Sequence, residues 1–212
     1  MCLIVVSDRG FADLPDHWVE RVHAENPDGF GAMWVDGCRV RVRHDAPANP
    51  AALRRLLREL PRDRQVAVHL RMRTAGEVSL DNTHPFPVRH RDGTLWLMHN
   101  GTFAEHADCP READTRRWIR NELEPMLASD DRPWTEFRDV VRDKASASGS
   151  RLVLMDDAAR TLIVDSAASG RGGDGRWYSK RVNAPENLPA REPARRAPGL
   201  FGLPLRPAML AA

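Results

Sequence analysis

Residues 1–10 read "MCLIVVSDRG", and the run "CLIVVS" at 2–7 decides how the rest of the chain is interpreted. Its apolar residues predict the first strand of the fold. A free cysteine at the head of such a strand is ordinarily a small apolar residue. If the initiator Met1 is removed, however, Cys2 carries a thiol and an α-amine on one residue, which is a nucleophile with its own base. Both interpretations of Cys2 stay open at this point.

The strands outside this run come in adjacent pairs. Residues 30–35 ("FGAMWV") and 38–43 ("CRVRVR") are separated by Asp36-Gly37, and an aspartate-glycine pair between two strands predicts a tight hairpin because it accepts positive φ angles. A second hairpin is predicted late in the chain. The other predicted strand segments are 65–73 ("QVAVHLRMR"), 94–100 ("TLWLMHN"), 151–157 ("RLVLMDD") and 161–166 ("TLIVDS").

Four segments have helical patterns. Residues 49–60 ("NPAALRRLLREL") begin with Asn49 as the predicted cap and Pro50 at the first helical position. The other predicted helices are 13–29 with Leu14, Trp18, Val19 and Val22 on one face, 113–127 ("ADTRRWIRNELEPML") and 133–145 ("PWTEFRDVVRDKA"). Strands outnumber helices and lie next to one another in the sequence. The pattern therefore predicts an α+β fold of antiparallel sheet with helices packed outside.

Composition limits the class of protein. The chain has 212 residues, of which 42% are hydrophobic and 29% charged, so it can bury one substantial core. The net charge of +2 is too small to indicate a nucleic-acid partner. The run "LIVV" is too short to cross a membrane, and we expect a cytoplasmic protein. Three cysteines without paired spacing predict neither a disulfide framework nor a zinc knuckle.

The composition changes near residue 185. Residues 185–212 are rich in proline, arginine and alanine, and repeated prolines block both helix and sheet. The sequence therefore predicts a domain at 1–184 followed by an extended tail at 185–212. The segments "SASGS" (146–150) and "SGRGGDG" (169–175) are predicted loops for similar reasons.

The densest cluster of unusual residues is "HLRMRTAGEVSLDNTHPF" at 69–86. His69, Arg71 and Arg73 alternate along a predicted strand and would share one face, which favours an anionic ligand there. A solvated edge strand is the alternative explanation. The histidines His69, His84 and His99 would be zinc ligands in a further alternative, which no short histidine spacing supports.

The stretch "HNG" closes the predicted strand at 94–100. Asn100-Gly101 is a turn dipeptide on the simplest interpretation. An asparagine amide beside a glycine N–H can also place two donors on one developing oxyanion, as acyl transfer requires.

Together Cys2, "NPDGFGAMW" (26–34), the 69–86 stretch, "HNGTF" (99–103) and "READTRRW" (111–118) resemble the class II glutamine amidotransferases of the N-terminal nucleophile hydrolase superfamily, especially stand-alone single-domain members. The resemblance covers about the first 130 residues, and weakly the late hairpins. It implies a four-layer αββα sandwich of two antiparallel sheets.

The resemblance also implies residue roles. Cys2 would be the nucleophile, and Asn100 and Gly101 the oxyanion hole. Arg71, with Thr74 beside it, would bind the substrate α-carboxylate, and Asp114 would bind the α-ammonium, although Asp114 also stands where a helix cap is predicted. Arg73 is unusual for the family and competes with Arg71. Residues 82–85 ("NTHP") are expected to have a structural role.

We therefore expect an amidohydrolase that releases ammonia from glutamine through a Cys2 thioester and passes it to a separate acceptor enzyme or to solvent, with no cofactor and no metal. A hydrolase of γ-glutamyl amides in larger metabolites is the enzymatic alternative. A binding module for an acidic partner is the non-enzymatic alternative, and the set of Cys2, Arg71, Asn100, Gly101 and Asp114 argues against it.

Overall fold

The structure, a computed structural model, describes residues 2–91, 93–129 and 133–188. In this part of the chain, ten strands form two antiparallel sheets. The first sheet has the order β3-β2-β4-β1-β10-β9 and the second has the order β5-β6-β7-β8. The strands are β1 (Leu3–Ser7), β2 (Gly29–Asp36), β3 (Arg39–Asp45), β4 (Val66–Arg71), β5 (Phe86–His90), β6 (Gly93–Asn100), β7 (Arg151–Met155), β8 (Thr161–Val164), β9 (Gly170–Arg171) and β10 (Trp177–Tyr178).

Helices cover the outer face of each sheet. The second of them begins as predicted, because the Asn49 side chain accepts hydrogen bonds from the amides of Ala51 (2.9 Å) and Ala52 (3.3 Å) and Pro50 takes the first helical position. The helices are α1 (Asp16–Glu25), α2 (Pro50–Glu59), α3 (Asp114–Trp118), α4 (Glu124–Ala128) and α5 (Arg138–Ala147). No helix of the described residues has the length and apolar character needed to cross a membrane.

Three apolar cores separate four layers. The first lies between α1 and α2 and the first sheet, and the second lies between the second sheet and α3, α4 and α5. The third fills the space between the two sheets. Its buried members are Ile4, Val6, Met33, Ala67, Met98, Val153, Met155 and Trp177. The fold is therefore the expected αββα sandwich.

The structure corrects several local predictions. The hairpin loop between β2 and β3 is Gly37-Cys38 rather than Asp36-Gly37, since Asp36 still pairs with Arg39. The helix predicted at 113–127 is divided by a π-helical stretch, Ile119–Leu123. Pro125 follows this stretch and lacks an N–H, so the regular hydrogen-bond ladder cannot continue through it.

Other corrections concern loops and strand ends. Helix α5 extends to Ala147, into a predicted loop, and strands β5, β9 and β10 were not predicted. At the start of the predicted tail, Pro185–Asn187 form a 3₁₀ helix and Leu188 is buried in the first core. The rest of the tail, 189–212, lies outside the described residues.

One glycine permits a close approach between two chain segments. A Cβ atom on Gly31 would lie 1.9 Å from the backbone oxygen of His84. Gly31 pairs with His69 across β2 and β4, so the segment carrying His84 rests directly on the sheet beside His69.

We expect Gly31→Ala to lower the free energy of unfolding by about 3 kcal/mol, because the clashing atom is backbone and cannot rotate away. Gly173→Ala is the matched control, since its new Cβ would meet its nearest neighbour at an ordinary 3.6 Å. Denaturant titration of both variants measures the difference. Equal stability of the two variants would contradict the packing described here.

Candidate functional site

Polar residues replace apolar ones at one end of the contact between the sheets. Ile4, Ala67 and Met98 lie in the core between the sheets. Because side chains alternate along a strand, residues an even number of positions away face the same space. The same alternation can be followed to the ends of β1, β4 and β6 that lie at this end of the contact. Three polar side chains stand there. They are Cys2, Arg71 and Asn100.

The position of Cys2 is fixed by the end of β4. Leu3 pairs with Leu70 across β1 and β4, and the Cys2 thiol donates to the Met72 carbonyl at 3.3 Å while the Met72 amide donates to the sulfur at 3.4 Å. Burial raises the pKa of the Cys2 thiol, while the Met72 hydrogen bond and the charge of Arg71 lower it and the charge of Asp114 raises it. The thiol therefore lies within electrostatic reach of both charged groups.

Arg71 holds the loop that follows β4. Its guanidinium donates to the carbonyls of Glu77 (2.9 Å), Ala75 (3.1 Å) and Gly76 (3.5 Å). Burial lowers the pKa of Arg71, while the charges of Cys2, Asp28 and Asp114 favour its ionised form. A guanidinium has five N–H donors, so donors remain for a carboxylate in the site.

The predicted row of His69, Arg71 and Arg73 on one strand face is wrong in its last member. Strand β4 ends at Arg71, and Arg73 is exposed, with its amide donating to Asp28 at 2.7 Å. The solvated edge strand is wrong too, because β4 lies between β2 and β1 and is buried along its whole length. Thr74 is exposed in the loop beyond Arg73.

Asp114 is the first residue of α3, and Ala113 is the cap residue, so the predicted capping position is off by one. The Asp114 carboxylate is buried and accepts a hydrogen bond from the amide of Phe103 at 2.7 Å. Burial raises the pKa of Asp114, against the backbone hydrogen bonds it accepts. The start of α3 is thereby joined to the segment after Gly101.

The Asn100 side chain is fully buried at the end of β6 and donates to the Ser179 hydroxyl at 2.8 Å. The same hydroxyl accepts from the amide of Ile4 at 2.8 Å. Asn100 on the second sheet is thus tied to β1 on the first. Its second amide N–H stays available, and its Oδ1 is a buried acceptor that has no partner among the described residues.

Gly101 is closely surrounded by the side chains of His99 and Ser150, which are hydrogen-bonded to each other. A Cβ at this position would lie 2.3 Å from the Ser150 hydroxyl and 2.7 Å from Nε2 of His99. His99 itself is held by Thr115 at Nδ1 (2.7 Å) and by Ser150 at Nε2 (2.8 Å). Gly101 therefore has a packing reason to be glycine besides its predicted N–H role.

The histidines do not converge as zinc ligands. Both ring nitrogens of His99 are taken, and Nε2 of His69 bonds to the His99 carbonyl at 3.0 Å. His84 stacks on His69 with ring centroids 4.1 Å apart. Among the described residues, the group whose side chains have metal-ligand spacing is Glu105, His106 and Glu122. Glu122 already forms ion pairs with His106 and Lys144.

Asn82 has the structural role predicted for its loop. Its amide donates to the carbonyls of Arg111 (2.7 Å) and Glu77 (3.1 Å), and its oxygen accepts from Ala113 at 2.9 Å. It thereby links the loop held by Arg71 to the start of α3.

Sequence reasoning missed Ser179 and Lys180. Ser179 follows the two-residue strand β10, and Lys180 is half-buried. Burial lowers the pKa of Lys180, while the charges of Glu25 and Cys2 favour its ionised form. The available signal was a serine and a lysine directly after the aromatic pair "WY".

Comparison with known proteins identifies the family. Residues 13–117 match the family described as "Glutamine amidotransferases class-II". This segment belongs to the class II glutamine amidotransferases. The matched segment contains Arg71, Thr74, Asn100, Gly101 and Asp114 and begins after Cys2.

The chain covers less than half of each of three similar proteins. A "Putative glutamine amidotransferase" of Haemophilus influenzae is 33% identical over 84 residues, which are 38% of this chain and 28% of that protein. The glutamine phosphoribosylpyrophosphate amidotransferase of B. subtilis is similar in structure, with a TM-score of 0.50, 14% identity and coverage of 84% of this chain and 41% of that one.

A structure described as the allosteric regulatory enzyme of purine biosynthesis has a TM-score of 0.54 at 14% identity, with the same coverage of 84% and 41%. The amidotransferase thus spans less than half the length of these relatives. At this identity the structures support the shared fold alone.

We expect the amidotransferase to lose stability as the pH falls below about 6.5. Burial lowers the pKa of His69 and His99 to about 3 and that of His84 well below its usual range. Between those values and the unfolded pKa, only the unfolded chain binds the protons, so acid favours unfolding. At pH 5 His69 and His99 each contribute a loss of about 2 kcal/mol, and His84 acts in the same direction.

Because neither ring nitrogen of His84 has a partner among the described residues, His84→Leu removes this proton linkage without orphaning another group. Urea unfolding at pH 7 and pH 5 should show that the free energy of unfolding depends less on pH in this variant than in the parent. His17→Gln, on the partly exposed side of α1, is the control. An unchanged pH dependence in His84→Leu would contradict the prediction.

Proposed function

We propose that this chain is a glutamine amidohydrolase in which Cys2 is the nucleophile, and that the ammonia is released or passed to a separate acceptor enzyme. The family membership supports glutamine as the substrate class. Three cysteines, all free, support a reducing, cytoplasmic location.

The observation that carries the proposal is that Cys2 lies within electrostatic reach of one buried cation and one buried anion. Arg71 and Asp114 come from the end of β4 and the start of α3, and both charges act on the Cys2 thiol. An α-amino acid has one carboxylate and one ammonium. A pair of opposite, desolvated charges beside a nucleophile therefore suits a γ-glutamyl group, with its charged end in the site and its amide at the sulfur.

The reaction follows from these positions. With Met1 removed, the α-amine of Cys2 accepts the thiol proton, and the sulfur attacks the γ-carbonyl carbon. The oxyanion that forms is stabilised by the free N–H of Asn100 and the amide of Gly101. Collapse breaks the carbon–nitrogen bond and ammonia leaves with the proton. Water then attacks the thioester, which releases glutamate and restores the thiol.

Burial of Cys2 makes this base necessary. Because burial raises the thiol pKa, the resting form is the thiol, and the reactive thiolate forms only as the proton is removed. An α-amine has a pKa of about 7.7 to 8.0, which is near enough for this transfer at neutral pH.

We expect Cys2→Ala to abolish ammonia release from glutamine while the fold remains. Loss of one thiol from a strand end costs about 1 to 2 kcal/mol. A glutamine-derived diazoketone should label Cys2 in the parent, and glutamate release should follow the fraction labelled. Cys38→Ala is the control, because Cys38 is exposed in the β2–β3 hairpin loop.

The intact mass of the same preparations tests whether the α-amine of Cys2 is the base. Activity should appear only in protein that lacks Met1. Full activity with Met1 retained would overturn the single-residue base, and labelling of Cys38 or Cys109 instead of Cys2 would overturn the nucleophile.

We expect Asp114→Asn to raise KM for glutamine by about 30-fold or more, since it removes one charge of a desolvated pair, a change that costs ~2 to 5 kcal/mol. The asparagine keeps an acceptor for the Phe103 amide. Arg71→Lys should act in the same direction, because lysine lacks the planar pair of donors. KM should rise alike for glutamine and for γ-glutamyl amides.

Arg73→Ala is the matched control, an exposed arginine two residues from Arg71. If Arg73→Ala raises KM and Arg71→Lys does not, the carboxylate-binding residue is Arg73 and the assignment is wrong. Steady-state kinetics with both substrate types make the measurement.

A further inference from the structure

The Ser179 hydroxyl lies where the two sheets meet beside the candidate site. It is fully buried and accepts two hydrogen bonds of 2.8 Å, one from the amide of Ile4 and one from the side chain of Asn100. A hydroxyl oxygen has two acceptor lone pairs, so both are used. The Ser179 oxygen thus binds both β1, at a position two residues from Cys2, and the side-chain amide of Asn100 at the end of β6.

The backbone shows why a side chain, and not the main chain, accepts from Ile4. Val5 and Val6 pair with Tyr178 and Trp177 in β10. At the next position the Ser179 amide donates to the Ile4 carbonyl at 2.9 Å, but the Ile4 amide turns to the hydroxyl. The ladder between β1 and β10 is therefore completed by a side chain at the place where β1 approaches Cys2.

Because a side-chain hydroxyl takes the place of a backbone carbonyl as the acceptor, this acceptor can also contact the opposite sheet. A backbone carbonyl in the ladder would point along the first sheet, whereas the Ser179 side chain also receives the Asn100 amide. The hydroxyl and the Asn100 amide are both fully buried. In such surroundings a hydrogen bond fixes orientation strongly, because its loss leaves a buried polar group unpaired.

The Asn100 amide needs such orientation. A side-chain amide rotates about its last torsion in a broad well, and its oxyanion donor is useful only when aimed at the place where charge develops. The bond to Ser179 uses one N–H and fixes the amide plane, so that the second N–H has a defined direction. His99 and Gly101, on either side, are fixed by packing and not through Ser179.

We infer that Ser179 is a positioning residue that aims the Asn100 amide at the substrate oxyanion formed when Cys2 attacks, by tying that amide to strand β1. The inference rests on the proposed function. It also assigns a task in the reaction to the segment after β10, which lies beyond the matched residues 13–117.

The simpler explanation is that Ser179 only satisfies the Ile4 amide. That role would make Ser179→Ala less stable without changing the chemistry per folded molecule. The aiming role predicts a loss in kcat with KM for glutamine nearly unchanged. Ser179 hydrogen-bonds to Ile4 and Asn100 and not to Arg71 or Asp114, the charged groups proposed to bind the amino acid.

The experiment compares Ser179→Ala with Ser7→Ala in the full chain. Ser7 is the matched control, a buried β1 serine whose hydroxyl donates to the Gly10 carbonyl at 2.8 Å and accepts from the Arg9 amide at 3.2 Å. Ser179→Ala should lower kcat for ammonia release by about 10- to 100-fold, less than the 10²- to 10³-fold expected when an oxyanion donor is removed altogether. Ser7→Ala should keep the parent kcat. Turnover is normalised to folded protein, measured by circular dichroism.

The decisive measurement is the double variant with Asn100→Ala. If Ser179 acts through Asn100, removing its hydroxyl when Asn100 is already alanine should change kcat by less than about twofold. Losses that multiply would overturn the inference, as would a Ser179→Ala protein with the parent's kcat. Should Ser179→Ala not fold, Ser179→Cys replaces it, since a thiol is a weaker acceptor, and the same tests apply.

A failure of the proposed function is distinguishable from these outcomes. If the proposed function is wrong, the parent protein itself will release no ammonia from glutamine or will not be labelled at Cys2. The inference about Ser179 is tested by the ratio of variant to parent in an active protein.

Discussion

Two sheets packed face to face exclude water from the space between them, so most polar groups near that space need a partner within the protein. Most of the contact avoids this requirement, because its side chains are apolar, as are Val6, Met33 and Val153. At one end it is met by hydrogen bonds, from Arg71 to three loop carbonyls and from Asn100 to Ser179. Polar groups buried in this way have few alternative arrangements, so the candidate site inherits the rigidity of the sheets.

Local signals predicted the local parts of this fold. Asn49 and Pro50 mark a helix start because one turn contains all the atoms involved, and paired strands with intervening turns indicated antiparallel sheet. Strands β9 and β10 escaped prediction because two residues carry no periodicity. Strand β5 begins right after the 82–85 loop and contains Pro87, which is tolerated because β5 is an edge strand.

The candidate site divides in the same way. Cys2, Arg71, Asn100, Gly101 and Asp114 were singled out by motif, and the first three lie at one end of the sheet contact. The choice between Arg71 and Arg73 could not be made from alternation, because the strand ends between them. Ser179 could not be found at all, because its bond to Ile4 spans 175 positions of sequence. Contacts of that separation are decided by the assembled layers and leave no local pattern.

The central position of β1 has a consequence for the order in which the protein is made. The strand that bears the thiol is synthesised before the other strands of the described residues, yet its neighbour β10 is the last of them. Until about 175 further residues have emerged, the edge of β1 that faces β10 therefore lacks its partner. A ribosome that stalls before "WYS" would leave a chain with Cys2 and the whole second sheet made, but with one edge of β1 open to pairing with another molecule.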